Sequence, residues 1–227
     1  DGDKDGLLED YYQVQLKDNS DKACHISSYN AADDNSYWCG DETINGYKDA
    51  WIQFLDTPTI SIEEGYRLTA QMMWKIEAPD AYDDGSFVDG SCTNGWDAAN
   101  IRISINGGVD WTLLEVPSQP YDFNCGYGWI YNDSQYESGG SLESLAPGWG
   151  GNSDGWQDFS VDLSAYADED IIIRFAFGSD PELSTNDNSS LKGFFVDDIT
   201  IKDASGTNIV SYTAEDGDND LMAASGY

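Results

Sequence analysis

The sequence predicts an all-β fold: an antiparallel β-sandwich with jelly-roll connectivity. Three observations carry that expectation. Apolar residues recur with period two in short runs, as in Tyr66, Leu68, Ala70, Met72, Trp74 and Ile76, and residues two apart share one face of a strand. No useful stretch keeps a helical period. Turns rich in Gly, Asn and Asp separate the runs, so about eight to ten short strands are expected, as in a sandwich.

The chain opens on DGDKDG at residues 1–6, the way a calcium loop begins, but Tyr12 stands where an EF-hand requires Glu. Residues 1–10 therefore read as an acidic linker or partial calcium loop. The alternation returns at 216–220, and residues 215–227 read as an acidic C-terminal tail or linker. Between them, 11–214 is one β-sandwich domain. A short strand is expected at 11–16, and 18–49 is a long polar loop clipped by a disulfide and holding one short strand. Along 51–62, Trp51, Gln53 and Leu55 alternate with Ile52, Phe54 and Asp56 until Pro58, which marks an edge strand or a break. Residues 66–77 form the clearest strand. After a loop at 78–100, Ile101, Ile103 and Ile105 alternate, Asn106-Gly107-Gly108 signals a hairpin, and 111–116 returns. A Gly- and aromatic-rich region at 117–155 precedes a strand with Phe159, Val161 and Leu163 inward, and 208–214 is a last strand.

Residues 171–202 carry an anomaly. Ile171, Ile173, Phe175 and Phe177 alternate along one strand, and Phe195, Asp197, Ile199 and Ile201 along the next. Strict alternation points Asp197 towards a core, where a carboxylate must be paired or neutralised. The nearest basic residues in sequence are Lys192 and Lys202. A bound metal ion is one answer; an early strand end that lets water reach Asp197 is the other.

Composition narrows the function. The 227 residues hold 43 acidic against 10 basic side chains, a net charge of −33. That balance excludes nucleic acid, which needs clustered Lys and Arg, and disfavours anionic membrane surfaces. It suits calcium ligation, a high-salt habitat, or both. No apolar run is long enough to span a membrane, and without a signal-like segment at Asp1 the chain reads as a mature or excised fragment. Cys24, Cys39, Cys92 and Cys125 form no CxxC, and His25 is the sole histidine, so a zinc site is not expected. Disulfides in a secreted or cell-surface protein are expected instead. Cys24–Cys39 and Cys92–Cys125 are the expected pairs, since each closes a polar, loop-like stretch.

Five pieces recur in order: FLDTPTISI at 54–62, LTAQMMWKIE at 68–77, IRISINGGVDWTLL at 101–114, GWQDFSVDLSAYA at 155–167, and IIIRFAFGSD with GFFVDDITI at 171–180 and 193–201. In these the chain resembles the MAM-like jelly-roll domains attached to secreted bacterial metallopeptidases of the immune inhibitor A type and to other exported surface proteins. The loops at 78–95 and 117–148 are longer than that pattern. The resemblance implies calcium as cofactor, with Asp197 as the central ligand. It implies partners from an early loop, Asp41 and Glu42, from the strand end at Glu77, and from Asp97, with Asp198 of lower rank because it faces the other way.

The long loop region crowds aromatic side chains, including Tyr127, Trp129, Tyr131 and Trp149. These four are the candidate ligand-binding residues, since exposed rings beside Asp and Asn recognise sugars. The same rings could instead form a small core beneath the loop. Catalysis is not expected. The HEXXH helix of the immune inhibitor A peptidases is absent, as are a Gly-x-Ser-x-Gly elbow and a phosphate loop. The reading is a non-catalytic, calcium-stabilised accessory module of an exported multidomain protein. Its partners are a glycan or an extracellular protein, and neighbouring domains of the same polypeptide. The alternative is a structural spacer or protective domain of a secreted metallopeptidase.

Overall fold

The computed structural model describes residues 24–79, 94–123, 125–126, 147–180, 182–215 and 221–225. Its strands are β1 (Cys24–Ser27), β2 (Ser36–Cys39), β3 (Ile52–Asp56), β4 (Ile60–Ser61), β5 (Arg67–Lys75), β6 (Asn94–Gly95), β7 (Ala98–Ser104), β8 (Thr112–Leu113), β9 (Cys125–Gly126), β10 (Gln157–Asp162), β11 (Asp170–Gly178), β12 (Gly193–Lys202), β13 (Asn208–Tyr212) and β14 (Met222–Ser225). They form two antiparallel sheets. One runs β1-β2-β12-β5-β10, with β13 also on β12; the other runs β14-β3-β11-β7-β8, with β4 on β11. A short parallel pair, β6 and β9, lies apart from both. The expected antiparallel β-sandwich is therefore the fold.

One core joins the two sheets. Leu68, Ala70, Met72 and Trp74 of β5, Phe159 and Val161 of β10, and Ile171, Ile173, Phe175 and Phe177 of β11 all enter it. These are the faces that period two selects. Pro58 marks the break between β3 and β4, because its ring lacks the N–H a ladder needs. Ile105 departs from its pattern: Ile101 and Ile103 are buried, but β7 ends at Ser104 and Ile105 lies exposed in the hairpin turn.

The second sheet is also covered on its outer side. Ala50, Ile52, Phe54 and Ala176 cluster there. The Arg174 guanidinium lies 3.9 Å from the Phe54 ring centroid and 3.7 Å from that of Trp111, and donates to both carboxylate oxygens of Asp56 at 2.7 and 2.8 Å. This fork-to-fork pairing between two rings holds a cation with little contact with water.

Two expectations need correction. Strict alternation along β12 fails. Phe194, Val196, Ile199 and Ile201 all enter the main core, so the parity changes between Val196 and Ile199. A β-bulge makes the change: the β12–β5 register shifts between Asp197 and Thr200, and Asp198 takes a φ of 48°. One extra residue re-aims everything beyond it. Asp197 therefore shares the outer face with Phe195, which packs with Trp38 and Met73 away from the main core. The second correction concerns the C-terminal segment. Residues 222–225 are not tail but strand β14, paired with β3 from Met222 opposite Asp56 to Ser225 opposite Gln53, and Leu221 is buried in the core.

Two further strands, β1 and β2, occupy the polar stretch where one was expected. Cys24 faces Cys39 in their register, and the two form a disulfide. Cys92, the side chain of Cys125 and the strand expected at 11–16 lie outside the described residues, as do residues 1–10 and 216–220. Gly193 opens β12 with a φ of 93°, and a side chain there would collide with the Cys39 carbonyl, so only glycine fits.

Candidate metal centre

Three carboxylates meet at one end of the sandwich. Glu77 lies just beyond β5, Asp97 just before β7, and Asp180 just beyond β11. Each offers an oxygen within 4.8 Å of the others. The sheet geometry explains the meeting of the last two. Gly178 pairs with Ala98 across β11 and β7, so continuing both chains by one or two residues brings Asp180 beside Asp97. Its backbone N–H donates to Asp97 Oδ1 at 2.9 Å. Glu77 arrives from the other sheet, and its N–H donates to Asp97 Oδ2 at 3.3 Å. The cluster thus bridges both sheets.

Asp97 is fully buried. The Tyr47 hydroxyl donates to its Oδ2, and Tyr47 packs edge-on against Phe177 of the core. Burial pushes the Asp97 carboxyl up to about 8, against the hydrogen bonds from Tyr47, Asp180 and Glu77 that favour its ionised form. Burial likewise raises the Asp180 carboxyl to about 6, with Glu182 and Asp49 adding repulsion. The Tyr47 hydroxyl is raised far above its ordinary value by burial and by the Asp97 charge. The site gathers oxygen donors only, and negative charge accumulates there at neutral pH unless protons or a cation neutralise it.

Of the residues expected as ligands, Glu77 and Asp97 come together. Asp41 and Glu42 lie elsewhere: Asp41 pairs with Lys48 at 2.7 Å, and Glu42 accepts from Ser27 Oγ at 3.2 Å and lies 3.6 Å from His25. Burial would raise the Asp41 carboxyl, but hydrogen bonds from Lys48 and Thr43 lower it to about 2. Asp197, carried to the outer face by the bulge, is not part of the cluster. It is buried, its Oδ1 accepts the Asp198 N–H at 2.8 Å, and burial raises its carboxyl to about 7, with Asp198, Asp33 and Glu215 adding repulsion. Asp198 is exposed. Asp180 is the member of this carboxylate cluster that the sequence did not single out. Its signal was an acidic residue just past a strongly apolar strand, the same position that Glu77 holds after β5.

Trp149 is not a solvent-facing ring. It is fully buried, its centroid 5.4 Å from that of Trp74 and 4.6 Å from that of Tyr121. Its indole N–H is shared between the Gln119 and Pro120 carbonyls. Trp74 and Trp149 belong to the main core and Tyr121 packs against it, because large flat side chains there gain more from mutual burial than from water. Tyr127, Trp129 and Tyr131 lie outside the described residues. His25 lies with its ring centroid 5.5 Å from that of Trp38. No helix among the described residues is long and apolar enough to cross a membrane. No protein-family model matches the chain, and no curated protein matches it.

Proposed function

We propose that this chain is a non-catalytic, calcium-stabilised accessory module of an exported multidomain protein, binding glycan or protein surfaces. The convergence of Glu77, Asp97 and Asp180 carries the reading, since three acidic oxygens within 4.8 Å of one another suit a hard cation. Calcium ligands at about 2.3–2.6 Å leave opposed oxygens about 5 Å apart, which matches that spread. Glu77, Asp97 and Asp180 would hold the ion, and its charge would keep all three ionised where burial alone favours protonation. Asp97 accepts one hydrogen bond on Oδ1 and two on Oδ2, so its Oδ1 has a lone pair to offer. Such an ion would join the end of β5 in one sheet to β7 and β11 in the other.

The Cys24–Cys39 disulfide supports export, because such bonds persist in oxidising compartments. Jelly-roll connectivity and kinship with MAM-like domains belong to the same proposal and rest on the five sequence pieces. A spacer or protective role without a ligand of its own is the second reading. The burial of Trp149 favours it, since one of the four expected sugar-binding rings is a core residue.

The test is a chelator titration followed by calorimetry, with readdition of calcium. A calcium-saturated site is expected to raise Tm by about 5–10 °C, the shift that about 2.7 kcal/mol of linkage gives in a chain of this size. An unchanged Tm sinks the calcium reading. Reproducible binding on a glycan array or to extracellular protein separates the module from the spacer.

A further inference from the structure

The sequence contains three Asn-Gly pairs: Asn45-Gly46, Asn94-Gly95 and Asn106-Gly107. Such pairs are the most prone to deamidation, because glycine offers an unhindered backbone nitrogen to the asparagine side chain. We propose that Asn106 is a site of spontaneous modification in the folded protein, the one Asn-Gly pair that this fold leaves open to succinimide formation.

The other two pairs are closed. The Gly46 N–H donates to the Asp41 carbonyl at 3.3 Å. Gly46 is buried, and the Thr185 side chain fills the space beside its Cα. Asn45 is held as well, its carbonyl accepting from Lys192 Nζ at 3.1 Å and from the Tyr29 hydroxyl at 3.4 Å. Gly95 is buried against the Phe123 ring, and its strand β6 pairs with β9.

The turn after β7 differs at the glycine. Asn106 and Gly107 are exposed, and open space lies where a Gly107 side chain would be. Gly107 has a φ of 74°, and its N–H has no acceptor among the described residues. The nucleophile is therefore solvated and unblocked. The electrophile is polarised. Asn106 Oδ1 accepts from Ser104 Oγ at 2.9 Å and from the Asp110 N–H at 2.9 Å. Both donors stabilise the negative charge that gathers on this oxygen when its carbon is attacked. The departing nitrogen, Nδ2, donates to Asp110 Oδ2 at 2.8 Å.

The reaction needs only water. The Gly107 nitrogen gives its proton to solvent base and bonds to Asn106 Cγ. The Cγ–Nδ2 bond breaks, and the nitrogen takes up a proton from solvent and leaves as ammonia. Water then opens the succinimide at either carbonyl, yielding Asp or isoaspartate. One water is consumed, one ammonia is released, and nothing is oxidised. The product loses the amide donor to Asp110 and sets two carboxylates against each other, so the hairpin tip loosens as it gains charge.

The test is a time course on the full folded chain at mildly alkaline pH, reading ammonia release and peptide-mapped Asp and isoaspartate at each pair. The same chain in urea is the reference, where all three pairs are unprotected. Asn106 is expected to convert in the folded chain within about threefold of its unfolded rate, while Asn45 and Asn94 slow by about tenfold or more because they await local opening. Asn106 slowed as much as Asn45, or either other pair converting first, overturns the proposal. Asn106→Gln is expected to abolish the product at this turn; its persistence there also overturns the assignment.

Discussion

Asp97 and Asp180 are joined by a backbone-to-carboxylate hydrogen bond, the Asp180 N–H donating to Asp97 Oδ1 at 2.9 Å. The contact is a product of sheet register. β7 and β11 pair so that Ala98 faces Gly178, and the two acids follow where those strands leave the core. Two carboxyls are thereby held together in a place where burial opposes their charge.

A pH dependence follows. Asp97 is raised to about 8 and Asp180 to about 6 from an ordinary value of 3.8. Between 3.8 and those values the folded state binds protons that the unfolded chain has released, so stability falls as pH rises. Chelated protein should lose Tm steadily from about pH 4 to about pH 8, the span between the ordinary carboxyl value of 3.8 and the raised value of about 8 for Asp97. Saturating calcium should shrink that fall without abolishing it, because the ion holds the cluster's carboxylates ionised while Asp197, raised to about 7, lies outside the cluster. Calorimetry across the range in chelator and in calcium checks both slopes; a Tm rising with pH in chelator refutes the assignment.

Trp149→Ala should act on stability and not on ligand recognition. The ring is fully buried and stacks on Trp74. Its removal leaves a large cavity and two carbonyls without their donor, at a cost of about 3–5 kcal/mol. Urea unfolding measures the loss. A variant as stable as the parent would return the ring to the list of binding candidates.

Asp198 sits in the left-handed region at a φ of 48°, where Asp is tolerated but glycine is free of strain. Asp198→Gly should therefore leave stability unchanged or raise it by up to about 1 kcal/mol, and Asp198→Val should lower it by about 1–2 kcal/mol. Equal effects of the two would mean that the bulge is not held in solution.

Cys24–Cys39 closes a loop of separation 15 between facing residues of β1 and β2. Replacing both by Ser should cost about 3 kcal/mol by the chain-entropy account of a loop this size. Chemical denaturation of the double variant reads the change, and a loss near zero would show that the unfolded chain is already compact there.

Several features of this protein were determined by sequence alone. Period-two patterning selected the inward faces of β5, β10 and β11, because burial on one face leaves an imprint every second residue. The disulfide at Cys24 and Cys39 was legible for a similar local reason, as was the break at Pro58. Tertiary structure decided the rest. A single left-handed residue, Asp198, reversed the parity of β12 and moved Asp197 to the outer face; no periodic rule carries across an inserted residue. The partnership of Glu77 and Asp97 with Asp180 depended on which strands pair and in what register, a long-range choice that no single segment records. The pairing of Met222–Ser225 with β3 was hidden for the same reason: a four-residue run, Met-Ala-Ala-Ser, is too short to show a pattern of its own and becomes a strand only when a neighbouring edge supplies its hydrogen bonds.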